Sequence, residues 1–312
     1  MNKIITHDGC FHTDEVVACM LLTIYFDGDV EIIRTRDENV IENTNAVIVD
    51  VGKRYDGIKR FDHHQYPDEK GYIARWDETI SKVFSIPLSS AGMIWKHFGV
   101  SICKKLFSDC SDHDIEQIYK KMYGNFFIEI DANDNGIDQY MDKARRKKYN
   151  INATLVGTIG RLNHENPYDS DMQMKMFKEA MIFSERMFRI HLNTYKNNQI
   201  TLESDTATMK QYYTERLDPR ILIIENDIKN WRGILREIDK EEKILFIVYP
   251  RETQWGVKAI PKLGFVPRKN IASEEILKQT VGDNLIFLHK KRFMCSCKTK
   301  QSAIDCAKAS LE

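Results

Sequence analysis

Three short runs rich in β-branched residues, Lys3–Thr6, Val30–Thr35 and Ala46–Val51, open the chain. Between the first two lies a segment from Asp14 to Tyr25 whose length and apolar spacing suit a helix. This strand, helix, strand, strand order predicts an α/β domain with a mostly parallel sheet flanked by helices, in which functional residues gather at the carboxyl ends of strands. The pattern then turns helical over Ser89–Cys110, Asp112–Asp142 and Ser170–Asn197, with Ser89 and Ser90 before an apolar run as N-cap candidates. The Met- and Phe-rich stretch from Met172 to Ile190 reads as core packing, because Met fills irregular apolar gaps. After polar Lys196–Ser204, strand-like segments at Arg220–Glu225, Lys243–Tyr249 and Trp255–Ile260 and a helical tail at Ser302–Leu311 predict a smaller α/β domain. The expected division is 1–200 and 201–312.

Composition narrows the class. Lys+Arg and Asp+Glu both number 46 in 312 residues, so a polyanionic partner must be drawn by a local patch rather than by net charge. Hydrophobic residues at 42% and charged residues at 29% exclude a disordered or collagenous chain. No apolar run approaches the roughly 18 residues of a membrane span. The N-terminus enters a strand-like segment with no leader pattern, so the expected location is cytoplasm or nucleus, with no membrane partner. Seven cysteines without a framework predict reduced thiols.

Candidate chemistry collects at the predicted strand ends. The stretch from Thr6 to Glu15 holds His7 and His12 with Asp8, Asp14 and Glu15; Phe61-Asp62-His63-His64-Gln65 adds two adjacent histidines; Asp50 ends the strand between them. A further acidic stretch runs from Glu129 to Gly136. Imidazole nitrogens with carboxylate oxygens suit Mn, Fe, Co or Zn, and mixed sets of this kind are what a hydrolytic two-metal centre needs.

The order His7, His12-Thr-Asp14, Asp50, Asp62-His63-His64, Asp131 resembles the four motifs of the DHH phosphoesterase superfamily. Within it, THDGCFHTDEV, FDHHQ, LSSAGMIWKHFG and EIDANDNGI are together similar to the Myg-one (melanocyte proliferating gene one) family, with a weaker continuation in FIVYPRETQWGVKAIP. The resemblance implies a metal-dependent 3′-to-5′ RNA exonuclease with two divalent cations, Mn favoured and Mg, Co or Zn as alternatives. It implies that His7, His12 and Asp50 hold one cation and that Asp14, Asp50, His63 and Asp131 hold the other, with Asp50 bridging. His64 would then meet substrate as a phosphate ligand or general acid, oriented by Asp62. His12 stands where many superfamily members have an aspartate.

Relatives carry a Gly-rich substrate loop near the C-terminus, and the equivalent here is Phe293–Thr299, with Cys295 and Ser296 at the expected glycines. The spacing Cys295-x-Cys297, with His289 nearby, misses the usual zinc separations and reads as buried thiols. Candidate substrate residues are Arg251, Trp255 and Lys258 in the better matched segment, and Lys290, Arg292 and Lys298, with Lys291 and Lys300, around Phe293; the run Lys143–Lys148 reads as an exposed helix face. The expected architecture is two α/β domains with the active site in the cleft between them. The expected partners are single-stranded RNA or a short nucleotide and, structurally, a second copy of the chain. A small-nucleotide phosphohydrolase and a weakly catalytic RNA- or protein-binding scaffold are the alternatives.

Overall fold

The structure, a computed structural model, describes residues 1–64, 80, 84–140, 151–264 and 266–312; the Lys143–Lys148 run lies outside them. The described chain divides into two units, 1–199 and 200–312.

The first unit is built on four strands, β1 (Asn2–Thr6), β2 (Val30–Arg34), β3 (Val47–Val49) and β4 (Arg60–Phe61). They pair in the order β2-β1-β3-β4, every pair parallel, with Ile4 opposite Ile32 and Val47. Helix α1 (Thr13–Tyr25) connects β1 to β2, and α2 (Glu38–Glu42) precedes β3. The apolar run of α1 is buried almost all round, as expected of a helix between a sheet and further helices. Those helices are α3 (Ser90–Leu106), α4 (Asp112–Met122), α5 (Ile128–Asp134), α6 (Leu155–Gly160) and α7 (Ser170–Ile200). Trp95 stacks on Phe127 at 4.5 Å and on Tyr119 at 5.4 Å in the core between α3, α4 and α5. The fold is mixed α/β with a parallel sheet, as the pattern predicted.

The second unit opens with α8 (Leu202–Glu215). It continues through β5 (Ile221–Ile223), α9 (Trp231–Ile238), β6 (Phe246–Pro250), β7 (Trp255–Ala259), the small hairpin β8 (Pro261–Leu263) and β9 (Val266–Pro267), α10 (Glu274–Val281), β10 (Leu285–Leu288), β11 (Met294–Cys297) and α11 (Lys300–Ala309). Its five-stranded sheet has the order β10-β11-β7-β6-β5, parallel only between β5 and β6. One face packs on α10 and α11, the other on α8 and α9.

Three expectations are corrected. The helix predicted over Asp112–Asp142 is interrupted by a π-helical turn, Tyr123–Phe127, and ends at Asp134, where Gly136 takes a left-handed φ of 66°. The polar Lys196–Ser204 stretch is no loop after the helix predicted to end at Asn197: α7 runs on to Ile200 and α8 begins at Leu202, because an exposed helix face is as polar as a loop. The Phe293–Thr299 segment is not a loop either. It forms β11, hydrogen-bonded on both sides, with Cys295 and Cys297 buried beneath α11.

Candidate metal centre

Because β1, β3 and β4 are parallel neighbours, their carboxyl ends share one edge, and each ends in a candidate ligand: Thr6 is followed by His7, Val49 by Asp50, and Phe61 by Asp62-His63-His64. The chain leaves β3 abruptly, with Asp50 itself at φ 55°. Asp and Asn bear that left-handed conformation best among residues with a side chain, and such strain concentrates at functional sites.

The loop from β1 into α1 is pinned from outside. Arg34 on β2 donates from Nε to the His7 carbonyl at 3.1 Å and from Nη2 to the Gly9 carbonyl at 2.7 Å, while its guanidinium lies over the rings of Phe11 and Phe177. Asn163 accepts from the Phe11 N–H at 2.7 Å and donates to its carbonyl at 2.8 Å. At the helix start, Glu15 accepts from the His12 N–H at 2.8 Å, as a third-position acid does at a helix N-terminus.

These contacts assemble a compact donor set. His7 Nε2 lies 2.9 Å from Glu15 Oε1 and 3.3 Å from Asp50 Oδ2; Asp50 Oδ1 lies 3.4 Å from His63 Nε2 and 3.3 Å from His64 Nδ1. His63 Nε2 is 2.7 Å from Asp134 Oδ2. Three overlapping groups have ligand atoms within 4.8 Å of one another: His7, His12, Glu15 and Asp50; Asp50, His63 and His64; and His12, Asp14 and Asp134. Asp50 thus gives one oxygen to each of the first two groups. His7 Nδ1 sits 2.9 Å from the Asp8 carbonyl, which favours the tautomer presenting Nε2 to an ion.

The residues fit divalent cations on a physical ground independent of motif. Neither oxygen of Asp14, nor Glu15 Oε2, has a hydrogen-bond partner among the described residues, and both side chains are fully buried. A buried carboxylate without a donor is costly, and a cation supplies what is missing.

Without that cation, protons take its place. Burial would lower the His7 imidazole, but Asp50 and Glu15 hold it up to about 10. Burial likewise opposes His63, which Asp134 and Asp50 raise to about 9. Asp50 and Asp62 raise His64 to about 10. Burial pushes Asp50 up, yet hydrogen bonds from His63, His64 and His7 carry it well below the usual carboxylate range. Burial and the neighbouring charges of Asp50, Asp134 and Glu15 push Asp14 well above it.

Of the predicted ligands, His7, His12, Asp14, Asp50 and His63 come together here. Asp131 is placed differently: its Oδ1 accepts from the Ser89 N–H at 3.0 Å and the Ser89 hydroxyl at 2.7 Å, and burial raises its carboxyl to about 7. Asp134, one turn further along α5, reaches His63 instead. Ser89 stands at the N-cap of α3 as expected, with its hydroxyl given to Asp131 rather than to the helix. Glu15 and Asp134 carry no assignment from the sequence; the third-position acid after His12 was the available signal for the first, whereas the phase of the π turn hid the second. Asp62 accepts from the His64 backbone at 2.9 Å and lies 3.0 Å from its Nδ1, fixing a ring whose side chain is 61% exposed.

The substrate candidates of the second unit do not form one cluster. Strand β11 separates Lys290 and Arg292 at its start from Lys298 at its end, four residues or roughly 13 Å away. Trp255 and Lys258 face opposite sides of β7: Trp255 packs on the α10 and α11 core with Lys300 Nζ over its ring, whereas Lys258 lies on the side of Arg232 and α9. Arg251 is exposed in the turn between β6 and β7.

A parallel-sheet α/β protein with a His and carboxylate centre at its strand ends is thus defined, and comparison with known sequences gives its family. Residues 3–311 match the profile of MYG1_exonuc, described as an uncharacterised protein family (UPF0160). The chain is 32% identical over 336 residues to the MYG1 exonuclease of Homo sapiens, covering 99% of this chain and 85% of that one. It is 31% identical over 319 residues to the MYG1 protein of Dictyostelium discoideum, covering 96% and 94%. The chain belongs to the MYG1 family. Among solved structures, RecJ from Thermus thermophilus in complex with Mg2+ aligns over 99% of this chain and 50% of its own, with a TM-score of 0.28 at 11% identity, a likeness too remote to carry argument.

Proposed function

We propose that the protein is a divalent-metal-dependent phosphodiesterase that removes nucleotides from the 3′ end of single-stranded RNA using two cations. The observation that carries this reading is Asp50, with one carboxylate oxygen toward His7 and the other toward His63 in a buried donor set. His7, His12, Glu15 and Asp50 would hold one cation, and Asp50, His63, Asp14 and Asp134 the other. Cations held there lower the pKa of water and offset the charge of a phosphodiester. The mixture of imidazole and carboxylate favours Mn2+. The chain's own groups do the rest. Asp62 locks His64 Nδ1, and the other nitrogen of that exposed ring bonds no described residue, so it is the group offered to a phosphate oxygen or to the leaving group. Carboxylates of Asp14 and Glu15 balance the cations without reaching solvent. The name of the human relative, an exonuclease, supports the class of reaction.

A small-nucleotide phosphohydrolase is kept in view by one observation: a paired strand, β11, stands where a Gly-rich substrate loop was expected. Single-turnover cleavage of 5′-labelled RNA of several lengths, with Mn2+ or with a chelator, separates the readings. Stepwise shortening from the 3′ end that stops with chelator is expected. Cleavage of dinucleotides alone favours the rival, and cleavage unaffected by chelator removes the metal reading.

A further inference from the structure

Outside the centre at the sheet edge, the second unit holds a cluster that the proposed activity does not use. Cys295 and Cys297 stand two residues apart on β11 and so face the same side, toward α11, where Cys306 comes to meet them. All three are 0% exposed and unbridged. The sulfurs of Cys297 and Cys306 lie 3.5 Å apart, and all three sulfurs lie within 4.8 Å of one another. Three sulfurs at about 2.3 Å from a common ion form a triangle of about 4.0 Å on each side, inside that range.

We propose that Cys295, Cys297 and Cys306 form a three-sulfur binding site for a soft, monovalent, thiophilic cation of the Cu(I) class. The pattern of donors selects the ion. The group contains no fourth ligand among the described residues, His289 included, and it belongs to the same buried apolar cluster as Val257, Leu277, Ala303 and Ala307. Zinc requires four donors, and a water as the fourth would need polar partners that a buried apolar cluster does not supply. Hard cations such as Mg2+ or Mn2+ gain nothing from sulfur, whereas Cu(I) is selected by thiolates. A disulfide accounts for the arrangement less well: it uses two sulfurs and leaves the third without a role. The sequence alone points away from metal, since one residue between Cys295 and Cys297 is too few for a zinc pair; the third sulfur arrives only when α11 folds back on β11.

The test uses the full chain, reduced and metal-free, titrated anaerobically with Cu(I) held by a chromophoric chelator. The chain is expected to withdraw one equivalent. Cys295→Ala, Cys297→Ala and Cys306→Ala, which add no polar group to the core, are each expected to weaken that binding by more than the roughly 10- to 100-fold that loss of an outer partner costs. X-ray absorption of the copper-loaded wild-type chain, which needs no variant to fold, should give three sulfur neighbours. Retention of all copper by the chelator, uptake undiminished in the three variants, or a copper shell containing nitrogen or oxygen overturns the proposal. So does recovery of the freshly purified chain with Cys297 joined to Cys306, seen as a mass lower by two hydrogens.

Discussion

Asp50 concentrates the demands of the centre in one residue: it faces three histidines and occupies a left-handed backbone well. Asp50→Asn keeps the shape and tolerates the backbone, so it should fold normally and lose metal-dependent cleavage by at least two orders of magnitude; near wild-type turnover would remove Asp50 from the centre. Asp134→Asn should weaken Mn2+ binding more than Asp131→Asn does, measured by calorimetry, because only Asp134 reaches His63. Asp131 has a different signature. Burial holds its carboxyl near 7 against an ordinary 3.8, so its contribution to stability is whole below about pH 4 and is lost as pH rises through 7. Asn keeps the oxygen that accepts from Ser89 and has no charge to bury. In metal-free protein, Asp131→Asn should therefore raise the free energy of unfolding measured in urea more at pH 8 than at pH 5, by a few kcal/mol at most. An equal gain at both pH values would show that burial of charge is not the cause. His7, His12, Asp50 and His63 were legible because histidines and acids crowd at predicted strand ends. The choice between Asp131 and Asp134 was not, since both lie on one short helix and only its rotation decides.

That rotation belongs to the helices. The π turn Tyr123–Phe127 adds a residue to a helical turn, and one residue more or less rotates the remainder of the helix by about 100°. The alignment of α5 is then fixed by close packing: a Cβ at Gly92 of α3 would lie 2.4 Å from the Asp131 carboxylate. Gly→Ala inside a helix ordinarily stabilises by about 1 kcal/mol. At Gly92 the clash is with a buried side chain that cannot swing into solvent, so overpacking of about 1–3 kcal/mol should win. Gly92→Ala is expected to lower the thermal midpoint and to weaken Mn2+ binding together, whereas Gly124→Ala, with open space at its Cβ, should do neither. A higher midpoint in Gly92→Ala would show that α5 has room to move. Strands β1, β2 and β3 of the parallel sheet could be read from β-branched runs, whereas β4, only Arg60 and Phe61, could not. Strand β11, spelled Met-Cys-Ser-Cys, carries no such signal, and its place in the sheet follows from long-range pairing with β7.

At the scale of the molecule, a formal net charge of zero means that any hold on RNA is local. Arg251 lies in the exposed turn between β6 and β7 and Lys258 within β7 itself, so their contributions should be separable. If each touches one phosphate, Arg251→Ala and Lys258→Ala should each make the salt dependence of single-stranded RNA binding shallower by about 0.7 in log–log slope, measured by fluorescence anisotropy. Slopes unchanged in both would take these residues out of RNA binding. The staple of Arg34 and Asn163 on the loop carrying His7 has a consequence of another kind, in the speed of loading. A loop already held by four hydrogen bonds and ring packing has no ordering left to do when a cation arrives, so capture is limited by two chemical departures: protons from His7 and His63, and water from the ion. The rate of Mn2+ uptake should therefore climb steeply between pH 6 and pH 9. Mg2+, which sheds water reluctantly, should enter far more slowly than Mn2+ at every pH.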